Sequence, residues 1–192
     1  VRTTVVTDFL CPSDGYATGD VVELGGNSYS RSNYPGNFGS AHIEGDDDHD
    51  LTAELQVDDD DHAEVHADAG NGIFFAGLAG YGRSNNAVRF NAVKDGLSKT
   101  VCIGERDSRL GESLWQGRAD GVEDDMSRVI GVGAHVFNSG DAHFEDFFSS
   151  HPGGVNFVFA DGHVSFLSNS MEEDFFKHLC ERDDGEVLTD AY

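Results

Sequence analysis

Residues 151–168, HPGGVNFVFADGHVSFLS, decide how this chain is read. Two runs of alternating apolar and polar residues flank the dipeptide Asp161-Gly162, the pairing that best tolerates the positive φ angles of a tight β-hairpin turn. A two-residue turn pairs Ala160 with His163, Phe159 with Val164 and Phe157 with Phe166. Val155, Phe157, Phe159, Val164 and Phe166 then share one face, with Asn156, His163 and Ser165 on the other. The hairpin is expected to bury its apolar face.

Beyond the hairpin, Ser170 and Glu173 have the spacing of a capping box. Met171, Phe175 and Leu179 recur every four residues, and Lys177, His178 and Arg182 gather at the far end. These signals predict a helix over 171–181 packed across the hairpin and ended by Asp183-Asp184-Gly185. Glu186–Leu188 is expected to return as a strand. Towards the N-terminus, Val5–Leu10 reads as a short apolar strand stopped by Pro12, and 25–40 as a long ordered loop or a pair of short edge strands. Thr100–Ile103 is a β-rich run after an Asp95-Gly96 turn. The expected fold is one α+β domain over 1–192, mostly antiparallel sheet with a short C-terminal helix.

Composition narrows the function. The 192 residues carry 12 Lys+Arg against 36 Asp+Glu, a formal charge of −24, which excludes partners bound by phosphate neutralisation: no nucleic acid and no anionic membrane surface is expected. A 38% hydrophobic content with 14 Phe supplies one ordinary core, and 24 Gly against 3 Pro favours turns and strands over a helical bundle. Cys11, Cys102 and Cys180 form no C-x-x-C pair, and the sequence leaves their pairing open, with at most one disulfide. No apolar run is long enough to span a bilayer, so no membrane insertion by this chain is expected, and no signal-peptide pattern stands at Val1.

Several segments together resemble a known family. FLCPSD (Phe9–Asp14), SNYPGNFG (Ser32–Gly39), NGIFF (Asn71–Phe75), RFNAVKDGLSKTVCIGE (Arg89–Glu105), SSHPGGVNFVFADGHVSFLS (Ser149–Ser168) and RDDGEVL (Arg182–Leu188) are similar to motifs of the pilin-like and pseudopilin-like proteins of planctomycete-type bacteria. That family carries the prepilin-type processing-associated domain of unknown function named for a His, nine residues and Asp-Gly, here His151 and Asp161-Gly162. The resemblance implies a pilin-like, β-rich head and an exported protein at the cell surface. It also implies a precursor with a long apolar N-terminal helix, either cleaved or omitted here.

Residues 41–70 match no motif of that family and read as an acidic insertion, with twelve acids and no Lys or Arg. Asp46, Asp48 and Asp50 alternate, as do Asp58, Asp60 and His62. Oxygen ligands on turns suit a hard cation such as Ca²⁺, which would relieve repulsion among the carboxylates. The EF-hand spacing is absent, and a solvated acidic surface is the competing reading. His62, Glu64, His66 and Asp68 also alternate; the two histidines would lie ~13 Å apart on a strand, so only neighbours such as His62 and Glu64 could share Zn²⁺ or Cu²⁺. His151 and Asp161 suggest acid–base chemistry, but a strand over 155–160 spans roughly 20 Å and separates them. A structural role for His151, Asp161 and Gly162 is therefore expected.

The family resemblance, with the charge, thus implies a non-enzymatic extracellular structural subunit of a pilus-like or other surface filament, a homopolymer with Ca²⁺ held by its acidic loops. The alternative is a secreted module that binds surface glycans or other ligands through Tyr29, Tyr34 and Phe38.

Overall fold

Frequent glycines and turn residues cut the chain into short strands, and long-range pairing rather than local order assembles them. The computed structural model describes residues 1–43, 70–75, 87–119, 121–122, 124–140 and 142–188, with the backbone of 64–65. The strands are β1 (Val21–Leu24), β2 (Asn27–Ser32), β3 (Gly36–Gly39), β4 (His42–Ile43), β5 (Glu64–Val65), β6 (Val101–Gly104), β7 (Ser113–Leu114), β8 (Ile130–Val132), β9 (Gly154–Phe159) and β10 (Val164–Ser168). A helix, α1 (Glu173–Cys180), follows them. The central sheet has the order β10-β9-β6-β3-β8 and is antiparallel except for the β3–β8 pair. A second antiparallel sheet runs β1-β2-β7, and β4 pairs with β5 in parallel. This is an α+β fold, mostly antiparallel, with one short C-terminal helix among the described residues.

The 155–167 hairpin forms with a register one residue away from the expected one. Val158 pairs with Val164, Phe157 with Ser165 and Val155 with Leu167. The loop holds three residues, Ala160, Asp161 and Gly162, with Gly162 at φ +91°. The cause lies outside the hairpin: Ala160 N–H donates to the Thr100 carbonyl (2.8 Å) and Asp161 N–H to that of Leu97 (3.1 Å), drawing Ala160 out of the ladder. A one-residue slip exchanges the faces of one strand. Leu167 is therefore buried beside Val155, Phe157 and Phe159, whereas Val164 and Phe166, expected in the core, are 63% and 48% exposed.

Three other local expectations are corrected. Residues 7–9 make a 3-10 turn rather than part of a strand over Val5–Leu10, with the Phe9 and Leu10 amides bonded back to Val6 and Thr7. The helix starts at Glu173 with Glu172 as its N-cap, and no capping box forms, because Ser170 lies two residues before the cap and its hydroxyl contacts Ser168. Glu173 instead accepts from Lys177 at 2.8 Å, one turn on. Glu186–Leu188 forms no strand.

The helix buries Phe176, Leu179 and Cys180, an i, i+3, i+4 stripe, against the sheet. Phe176 joins Phe137, Phe147 and Phe157 in an aromatic cluster whose ring centroids lie 4.9–6.3 Å apart, mostly tilted or edge-to-face. Gly104 at the end of β6 makes room for it. A β-carbon there would run into the Phe147 ring and lie 2.6 Å from Phe157 Cε1. Gly104→Ala is expected to destabilise the fold by about 1–3 kcal/mol through overpacking, read as a lower midpoint in urea unfolding. An unchanged midpoint would mean that the aromatic cluster can shift without loss.

Candidate functional site

Pro12 and Ser13 turn the chain after Cys11 and direct the Asp14 carboxylate inward. Asp14 Oδ2 accepts from Arg31 Nη1 (2.8 Å), Asn33 Nδ2 (2.8 Å), Ser108 N (3.1 Å) and Ser108 Oγ (2.7 Å), while Oδ1 accepts from the Tyr16 amide. Asn33 also bonds the Cys11 amide and the Arg106 carbonyl, each at 2.8 Å. Burial opposes the Asp14 charge, but the hydrogen bonds from Asn33, Ser108 and Tyr16 outweigh it, and its pKa is lowered.

Three segments far apart in sequence meet beside this knot. Cys11 Sγ lies 3.7 Å from His151 Nε2, and the same nitrogen lies 3.2 Å from Glu105 Oε1. Glu105, delivered by the end of β6, also accepts from the Asn156 backbone amide (2.9 Å) and side chain (3.2 Å) on β9. Tyr34 closes the group; burial, then the nearby Cys11 and Glu105, push its phenol pKa up to about 12. A cysteine nucleophile with a histidine base and an orienting acid uses both ring nitrogens, one towards each partner. Here Cys11 and Glu105 meet the same nitrogen, so the contact joins the three segments, and the three side chains offer ligand atoms within 4.8 Å of one another.

His151 and Asp161 have separate partners. Asp161 sits exposed in the hairpin turn, where Oδ1 accepts from the His163 amide (3.0 Å) and contacts His163 Nδ1 (2.6 Å). The His163 ring stacks on Phe159 with centroids 4.5 Å apart. The aromatic set expected to contact a ligand is turned inward: Tyr29 is 4% exposed, Phe38 is 0% exposed, and Tyr34 is half-buried against Cys11. Strands β2 and β3 are interior, so Tyr29 and Phe38 serve as core residues rather than as a stacking platform. Asp46, Asp48, Asp50, Asp58, Asp60 and His62 lie outside the described residues. All three cysteines are free thiols.

The fold also assembles a group that no local motif announces. His42 on β4, His135 and His143 bring their rings together with centroids 4.8–5.2 Å apart. His42 Nδ1 bonds Glu145, and His135 Nδ1 lies 3.0 Å from Asp146 Oδ2, a contact that raises the His135 pKa. Residues 135–146 do hold two histidines and two adjacent acids. The third histidine comes from the opposite half of the chain through β4, beyond the reach of spacing rules.

The protein is a β-rich α+β fold in which four of the quoted segments, Phe9–Asp14, Ser32–Gly39, Arg89–Glu105 and Ser149–Ser168, contribute to one buried polar group. The chain belongs to the family described as a protein of unknown function, DUF1559, whose model matches residues 2–174. That span holds every motif noted above except Arg182–Leu188. No match was found among curated proteins or among solved structures.

The depressed Asp14 pKa means that the folded chain holds this proton less tightly than the unfolded chain does. Its contribution to stability is fully present above the ordinary carboxylate value of about 4 and is lost as pH falls through the native value. Asp14→Asn should lower stability at neutral pH by about 1–3 kcal/mol, and the gap to wild type should close on acidification. Urea unfolding at several pH values checks this; a gap independent of pH would show that the charge of Asp14 is not what stabilises the knot.

Proposed function

We propose that this chain is a non-enzymatic extracellular subunit of a pilus-like or other surface filament, associating with copies of itself through β10. The observation that carries the reading is the exposed edge of the central sheet. β10 has one neighbour, β9, among the described residues, and it presents Val164 and Phe166 to solvent. An unpaired edge with outward apolar side chains is a template for strand addition from a second chain. The motif resemblance to pilin-like proteins supports the same reading.

The charge of −24 opposes assembly, since every added copy repels the last. Divalent cations such as Ca²⁺, taken up by the acidic stretch containing Asp46, Asp48, Asp50, Asp58, Asp60 and His62, would offset that repulsion. Polymer formation should therefore depend on cations and on the β10 edge. Wild-type protein with Ca²⁺ should sediment as polymer and show filaments by negative-stain microscopy, with EDTA reversing both. Phe166→Asp should leave a folded monomer, because the half-exposed ring lies outside the buried core and surface substitutions usually change stability by only about 0.5 kcal/mol. A wild-type chain that stays monomeric at every cation concentration would contradict the reading.

A further inference from the structure

We propose that His42, His135 and His143 bind a transition-metal ion of the Zn²⁺ class, with Glu145 and Asp146 as its outer carboxylates. One ligating atom from each histidine lies within 4.8 Å of the other two. Imidazole nitrogens select zinc and its first-row neighbours, whereas calcium and magnesium select oxygens, so this site differs in chemistry from any bound by the acidic stretch.

The second row of contacts is that of a metal centre. A ligating histidine commonly donates its other ring N–H to a carboxylate, which fixes the tautomer and turns the remaining nitrogen to the ion. His42 meets Glu145 through Nδ1 and His135 meets Asp146 through Nδ1, so both rings direct Nε2 away from their carboxylates. Two adjacent carboxylates, Glu145 at 2% exposure and Asp146 at 0%, are buried beside the three imidazoles. A divalent cation would offset both of these buried charges.

His143 supplies an independent sign. Its Nδ1 is buried and has no hydrogen-bond partner, as does Asp146 Oδ1, although buried polar atoms are nearly always satisfied. The segment around it is otherwise pinned, with the His143 amide donating to Asp146 Oδ2 at 2.8 Å. Tetrahedral Zn–N bonds of about 2.0 Å put ligand nitrogens roughly 3.3 Å apart, so binding requires the nitrogens to close by up to about 1.5 Å. Three histidines leave a fourth coordination position for water or another ligand.

The test uses the full chain, stripped with chelator and titrated with Zn²⁺ in excess Ca²⁺ so that the acidic stretch is saturated. One equivalent of Zn²⁺ should bind tightly, and His143→Ala should abolish that equivalent. Glu145→Gln should weaken binding 10–100-fold through the outer contact. Cys11→Ala should leave it unchanged, which separates this site from the Cys11–Glu105–His151 group. X-ray absorption at the zinc edge of the wild-type complex, which needs no variant to fold, should show nitrogen ligands at about 2.0 Å and no sulfur. Retention of the tight equivalent in His143→Ala, or an oxygen- or sulfur-dominated ligand shell, would overturn the proposal. Neither result depends on whether the chain polymerises.

Discussion

The guanidinium of Arg106 is wholly buried and donates to four main-chain carbonyls, those of Ser127, Ile130, Glu145 and Asp146. A cation taken from water must be solvated by the protein instead, and here four peptide dipoles do it. The consequence is geometric. A segment with little regular structure, 127–146, is folded back on itself around one planar group. The Arg106 backbone meanwhile joins Asn33 on one side and lies beside Phe148 on the other. The polar knot at Asp14, the parallel strand β8, and the placement of His135 and His143 all depend on this arrangement.

The same constraint explains which parts of the fold were legible in the sequence. Two alternating runs around Asp161-Gly162 made the hairpin readable, because strand period and turn chemistry are local. Its register was not readable, because the carbonyls of Leu97 and Thr100 capture the amides of Asp161 and Ala160 and turn Val164 and Phe166 outward. The helix was readable as a recurrence of apolar residues, but its buried stripe is Phe176, Leu179 and Cys180, with Met171 before the helix and Phe175 only partly buried. Its start was not: Glu172 takes the cap position without a side-chain bond, and Lys177 holds Glu173 from the next turn.

The candidate sites divide along similar lines. The segments that suggested a family were visible as short strings, but the meeting of Cys11, Glu105 and His151 around one imidazole nitrogen exists only in the fold. Tyr29 and Phe38 looked like surface aromatics because their stretch is rich in Gly, Asn and Ser. Those small polar residues in fact let β2 and β3 pass through the interior, where Asn37 Nδ2 bonds the carbonyls of Val101 and Cys180. Arg106 gave no sequence signal, since nothing in its neighbourhood distinguishes a buried arginine from a solvated one.

Amide hydrogen exchange in an Arg106→Lys variant shows whether the buried guanidinium organises the segment 127–146. Lysine keeps the charge but has a single nitrogen, which cannot reach four carbonyls arranged around a planar fork. Protection should be lost at the Val132 and Asp146 amides, which bond Glu145 and His143 within the segment, while amides between β9 and β10 stay protected. Unchanged protection across 128–148 would contradict this, and would mean that the segment holds its shape without the buried guanidinium.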